Sequence, residues 1–187
     1  MLTCISSIVA SWLITSGVVK SDNRELYEYA TYSFLFSCTP LFISIVIGSL
    51  LNMTFESLLV ICPIVIIRKF SGGFHLNSPW LCFCVSILLL STSFLFIKYY
   101  KPNIIVLSFI VALDSIWIYV KSPIISKARP LKPKEILMFR KATQLFLSLC
   151  LITYICFAFF KQQYATPVGI GIIIAAFLQQ LSVFMKR

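Results

Sequence analysis

An all-α, polytopic bundle of membrane-spanning helices is the fold class this sequence predicts, on three observations. First, 59% of the 187 residues are hydrophobic and 12% charged, against about 45–50% and about 25% in soluble domains. Second, six acidic and sixteen basic residues are too few polar groups to cover the surface that a chain of this size must expose. Third, the apolar residues are gathered into segments, and most of these reach the ~20 residues with which a helix crosses hydrocarbon. The bilayer is therefore the solvent, and residues 1–187 read as a single integral membrane domain.

The elements follow in order. In residues 1–19, Leu2, Ile5, Ile8, Val9, Trp12 and Leu13 recur at helical spacing, Ser6, Ser7, Ser11 and Thr15 fall largely off that stripe, and Gly17 can end the helix. The segment lacks a basic n-region and a small-residue cleavage pattern, so it reads as an amphipathic helix lying in the interface. Six further apolar segments run from Thr31 to Leu51, Met53 to Ile67, Pro79 to Ile97, Ile104 to Val120, Ala142 to Phe160 and Val168 to Phe184, giving about six spans. The second is the weakest: its residues cover only ~22 Å at 1.5 Å each, and Pro63 interrupts its hydrogen bonding. Cys38, Cys62, Cys150 and Cys156 lie inside apolar runs, where a thiol behaves as a small hydrophobe, and no disulfide framework is inferred.

Basic residues orient these segments, because short cytoplasmic loops are enriched in Lys and Arg. Of the sixteen, Lys20, Arg24, Arg68, Lys69, Lys121, Lys127, Arg129, Lys132, Lys134, Arg140, Lys141, Lys186 and Arg187 fall on one side, and Lys98, Lys101 and Lys161 on the other. This split predicts that both termini, the loop 68–79 and the basic loop 121–141 are cytoplasmic. The bases lie between apolar segments and not along one amphipathic face, which argues against nucleic acid and for anionic lipid headgroups. Trp80, Tyr99, Tyr100 and Trp117 near segment ends fit interfacial aromatic belts.

One constellation could carry chemistry. Arg68-Lys69-Phe70-Ser71-Gly72-Gly73-Phe74-His75 follows the second segment, His75 is the chain's one histidine, and Cys82 lies seven residues beyond it. A neutral imidazole can take a thiol's proton near pH 7. On a continuous helix the two side chains would stand ~10.5 Å apart along the axis, so the chain must turn between them. Gly72 and Gly73 permit that turn, Ser78 can cap the next helix, and Pro79 suits its first position. Cys82 then sits near a helix N-terminus, where free amides and the dipole favour a thiolate. Cys84 is the competitor, but it is rotated by about 200° from Cys82, so both cannot serve the same histidine. On the residues alone, a catalytic pair and a loop histidine beside an embedded thiol both remain open. One histidine and scattered cysteines do not make a metal site, and no cofactor is implied.

The order of these features resembles the accessory gene regulator B family of membrane cysteine endopeptidases. The resemblance is carried by Arg68-Lys69, the Gly-Phe-His end of Gly72-Gly73-Phe74-His75, the His75 to Cys82 spacing, and Glu25-Leu26-Tyr27-Glu28-Tyr29-Ala30. The basic, proline-bearing loop and the glycine-containing last span extend it over nearly the whole chain. It implies that His75 and Cys82 are the catalytic pair and that the substrate is an AgrD-like propeptide. That propeptide is cleaved through a thioester and closed into a thiolactone or lactone quorum-sensing signal at the bacterial cell membrane. A homodimer is left open. Arg68, Lys69, Gly72, Gly73, Lys127, Arg129, Lys132 and Lys134 are candidate substrate contacts, the bases by attraction for an acidic stretch, with topology setting and lipid contact as the competing reading. Asp114, inside the fourth segment, could orient His75 or make a structural hydrogen bond. A non-catalytic small transporter or membrane scaffold would fit the hydropathy equally well.

Overall fold

The structure is a computed structural model, and it describes residues 2–17, 23–71, 79–100, 102–124 and 133–184. Seven helices occur among them: α1 (Leu2–Thr15), α2 (Arg24–Leu50), α3 (Thr54–Ser71), α4 (Pro79–Tyr99), α5 (Ile104–Lys121), α6 (Pro133–Phe160) and α7 (Gln162–Phe184). There are no strands among the described residues. Five helices, α2, α4, α5, α6 and α7, are long and apolar enough to cross a membrane. The chain is a membrane protein.

Helix boundaries follow local chemistry. α1 stops where Gly17 takes φ +70°, a conformation that only glycine adopts without a Cβ penalty. Asn52 turns the α2–α3 corner at φ 57°, which asparagine tolerates better than most residues. α4 opens at Pro79, as the missing N–H of proline predicts. α5 is capped by Asn103, whose side chain accepts from the Ile105 N–H at 2.9 Å.

The weak second segment forms a helix of 18 residues that ends at Ser71, or ~27 Å at 1.5 Å per residue. Glu56, Arg68 and Lys69 at its ends explain why length and apolarity alone do not select it. It nevertheless runs the full depth of the bundle. Near its start Phe55 meets Tyr164 of α7 edge to face, with centroids 5.1 Å apart, and at its finish Ser71 O accepts the Ile124 N–H at 2.9 Å. Ser57, Val60, Ile61, Pro63, Ile64, Ile67 and Ser71 are buried, so one face of α3 is covered by its neighbours, while Leu58, Cys62 and Val65 on the other face are exposed.

Those contacts define two ends. Leu51, Phe55, Lys98 and Tyr164 share one, where Lys98 Nζ donates to Leu51 O at 3.3 Å. Ser71, Ile124 and the first half of α6 share the other, where Phe70 stacks on Phe146 at 5.0 Å and lies 6.2 Å from Phe139.

α7 is the central helix and lines two apolar clusters. Val168, Ile172, Ala175 and Ala176 pack with Ile67, Val111, Ile118 and Leu147, while Ile170, Ile174 and Leu178 pack with Val60, Ile64, Leu90 and Phe94. Gly171 allows α7 to approach the backbone of α3 at Val60, the close packing that small residues permit between membrane helices. The outside is apolar as well: Phe34, Phe42, Leu88, Phe109, Ile116 and Ile152 are exposed, which lipid contact explains and water contact would not. Hydroxyls within the bundle are satisfied locally, Ser44 on Pro40 O, Ser115 on Val111 O and Thr143 on Phe139 O.

α1 packs against α2 through buried Ser6 and Ala10 and leaves Ile5, Ile8 and Trp12 exposed. The small, partly polar face is thus inward and the large apolar residues outward.

Candidate functional site

Of the predicted site residues, Cys82, Arg68, Lys69 and Lys134 are carried by helix ends. Cys82 is the fourth residue of α4 and is half-buried, whereas Cys84, on the other side of the same turn, is exposed. The first turn of α4 is held by aromatic contacts: Trp80 and Phe83 lie 6.0 and 5.9 Å from Phe36 of α2, and 5.9 Å from each other.

Arg68 and Lys69 belong to the last turn of α3 and not to a loop. Burial pushes the Arg68 guanidinium below the usual range of arginine, and the Cys82 sulfur acts in the opposite direction, so these groups lie within electrostatic reach of each other. Arginine keeps its proton under such pressure, which leaves a fixed positive charge beside the thiol. Lys69 is exposed, with Nζ 5.8 Å from the centroid of the Phe70 ring.

The basic region after α5 also differs from a simple loop. Its second half is helical, because α6 begins at Pro133, nine residues before Ala142, where the apolar segment is expected to start. Proline at the first position and Glu135 in the first turn favour a helix start there. Lys134 is accordingly an exposed residue of a helical turn. At 28 residues, or ~42 Å, α6 exceeds the ~30 Å of hydrocarbon, and its excess carries Lys134, Glu135, Arg140 and Lys141. His75, Gly72, Gly73, Lys127, Arg129 and Lys132 lie outside the described residues.

The hydrogen bond between Ile124 N–H and Ser71 O joins the start of the basic region to the residue before Gly72. Residues 71 and 124, far apart in the sequence, are therefore neighbours. Behind them lies a polar layer that sequence reading did not resolve: Gln179 Nε2 donates to Ser122 Oγ at 2.9 Å, and Gln180 Nε2 to Asp114 Oδ1 at 3.1 Å. Asp114 thus has a hydrogen-bond partner within the bundle. Adjacent glutamines inside an apolar span were the visible signal, since side-chain amides in a membrane helix need partners.

The family model described as accessory gene regulator B matches residues 6–183. The chain belongs to the accessory gene regulator B family. Among relatives of this accessory gene regulator B chain, it is similar to AgrB-like protein 2 of Clostridium perfringens strain 13, at 23% identity over 72% of this chain and 66% of the relative. A similar protein of strain SM101 shows 23% identity over the same shares. AgrB-like protein 1 of strain 13 is 27% identical over 63% of each chain. The chain therefore spans just under two thirds of the length of the first two relatives. No solved structure matches it.

Proposed function

We propose that this protein is a membrane-embedded cysteine endopeptidase that processes a short AgrD-like propeptide for quorum sensing, with Cys82 as nucleophile and His75 as base. The observation that carries the reading is Cys82 itself: a half-buried thiol at the start of α4, beside the guanidinium of Arg68, seven residues after the chain's one histidine. Membership of the family supports it.

The chemistry is acyl transfer. His75 takes the Cys82 proton, and the thiolate attacks the scissile carbonyl; His75 then delivers that proton to the leaving amine, freeing the tail and leaving a thioester between enzyme and propeptide. The propeptide's own cysteine, or a serine, attacks the thioester carbonyl, closes a thiolactone or lactone, and returns the electron pair and a proton to Cys82. Exchange of one thioester for another is nearly balanced, so the uphill step is amide to thioester, drawn forward by removal of the tail. The Arg68 guanidinium stands in the last turn of α3, within electrostatic reach of Cys82. With Lys69, Lys127, Arg129, Lys132 and Lys134 it attracts an acidic substrate, with Gly72 and Gly73 allowing close approach of a peptide.

A propeptide made in the cytoplasm must meet this site before export, so the reading requires both termini and the segment 68–79 to be cytoplasmic in the bacterial cell membrane. Thirteen of the sixteen basic residues on that side support this orientation. The test is cleavage of propeptide by variants that insert and accumulate normally. Cys82→Ala and His75→Ala should each be silent while Cys84→Ala stays active; activity in Cys82→Ala with loss in Cys84→Ala overturns the assignment.

A further inference from the structure

Gln179 sits at a position where an apolar residue would serve packing better. It is fully buried in the central helix, and only one end of its carboxamide is satisfied. Nε2 donates to Ser122 Oγ, whereas Oε1 has no partner among the described residues. An unpaired buried carbonyl is unfavourable, and an apolar side chain of the same length avoids the cost.

What the amide does hold is informative. Ser122 directly follows α5, and its N–H donates to Ile118 O at 3.1 Å; two residues later the Ile124 N–H donates to Ser71 O. Ser71 is fully buried and directly precedes Gly72. A short relay thus runs from α7 through Ser122 and Ile124 to the end of α3, the helix whose last turn also carries Arg68 beside Cys82.

We propose that Gln179 is a positioning residue for the chemistry at Cys82. By fixing Ser122 it sets where the basic segment after α5 docks on Ser71, and so where the His75-bearing segment leaves α3. This inference rests on the reading of Cys82 and His75 as the reacting pair. Small displacements at a reacting centre are costly in rate: ~1 Å can cost on the order of 100-fold.

The test is Gln179→Met in the full-length protein in detergent, with steady-state propeptide cleavage and thermal unfolding measured on the same preparations. Positioning predicts kcat reduced roughly 10-fold to 100-fold, KM unchanged, and an unfolding midpoint equal to or above wild type. Ser122→Ala should also lower kcat, and the double variant should fall no further than the worse single one, since both act through one bond. Wild-type kcat in Gln179→Met, a kcat loss matched by a fall in midpoint, or losses that multiply in the double variant would each overturn the proposal. Ser122→Ala alone decides it if Gln179→Met does not accumulate: wild-type kcat there overturns it. Cys82→Ala in the same assay separates the two claims. If it is silent, a normal Gln179→Met overturns only the positioning role; if it is active, the nucleophile assignment falls and this inference with it.

Discussion

Replacing Gly171 by alanine should loosen the bundle, although alanine is the better helix former. A Cβ at Gly171 would stand 2.6 Å from Val60 O and 3.2 Å from Pro63 Cγ. Ordinary van der Waals contact begins at 3.4 Å, so α3 and α7 must separate by roughly 0.8 Å, the difference 3.4 − 2.6. The obstacle is backbone on a helix that Pro63 already denies one hydrogen bond, and no rotamer change relieves it. Overpacking of this kind costs about 1–3 kcal/mol, and the gain in helix propensity returns about 1 kcal/mol. Because the atom met is backbone, the cost falls at the upper end of that range, and the net loss is about 2 kcal/mol, or a midpoint lower by roughly 4–8 °C for a chain of this size. Gly169 supplies the internal comparison. Its Cβ would meet Tyr154, Val111 and Leu107 side chains at 2.9, 3.3 and 3.4 Å, groups that can shift, so Gly169→Ala should cost less. The assay is thermal unfolding of the purified variants in one detergent, followed by loss of monodisperse protein. If Gly171→Ala were as stable as wild type, or Gly169→Ala were the worse of the two, the close approach of α3 and α7 at Val60 would be wrong.

Two further outcomes follow from the same geometry. Arg68→Gln should lower the rate of propeptide cleavage by roughly 10-fold, because a positive charge that attracts an acidic substrate is lost; an unchanged rate would remove Arg68 from the chemistry. In an otherwise cysteine-free chain, a cysteine at Asn77 should resist a membrane-impermeant maleimide in intact cells and react once they are opened, whereas one at Asn103, the exposed cap of α5, should react in intact cells. Ready labelling at position 77 would reverse the orientation.

The parts of this fold that were legible in the sequence are those set by local chemistry. Gly17 and Pro79 mark a helix end and a helix start, and apolar length marks five spans. Hydropathy could not rank them, since a leucine facing lipid and an isoleucine facing α7 read alike. That α7 is central and that α3 runs the full depth follow from Gly171, Phe55 and Ser71, whose contacts are distant in sequence. The helical start of α6 was hidden because Lys134, Glu135, Arg140 and Lys141 break the apolar run without breaking the helix. At the site, the family resemblance pointed to Cys82; Cys82 is half-buried and Cys84 exposed. The nearness of Arg68, the pairing of Asp114 with Gln180 and the relay from Gln179 to Ser71 all depend on which helices are neighbours, information that no local pattern contains.

The central claim is a covalent one, and the direct measurement is the mass of the protein itself. Purified chain mixed with its propeptide and quenched in acid should gain the mass of the N-terminal propeptide fragment. The gain should map to the peptide bearing Cys82, disappear with hydroxylamine, and be absent from Cys82→Ala. Cleaved propeptide with no hydroxylamine-sensitive adduct on Cys82, or an adduct that persists in Cys82→Ala, would contradict the account.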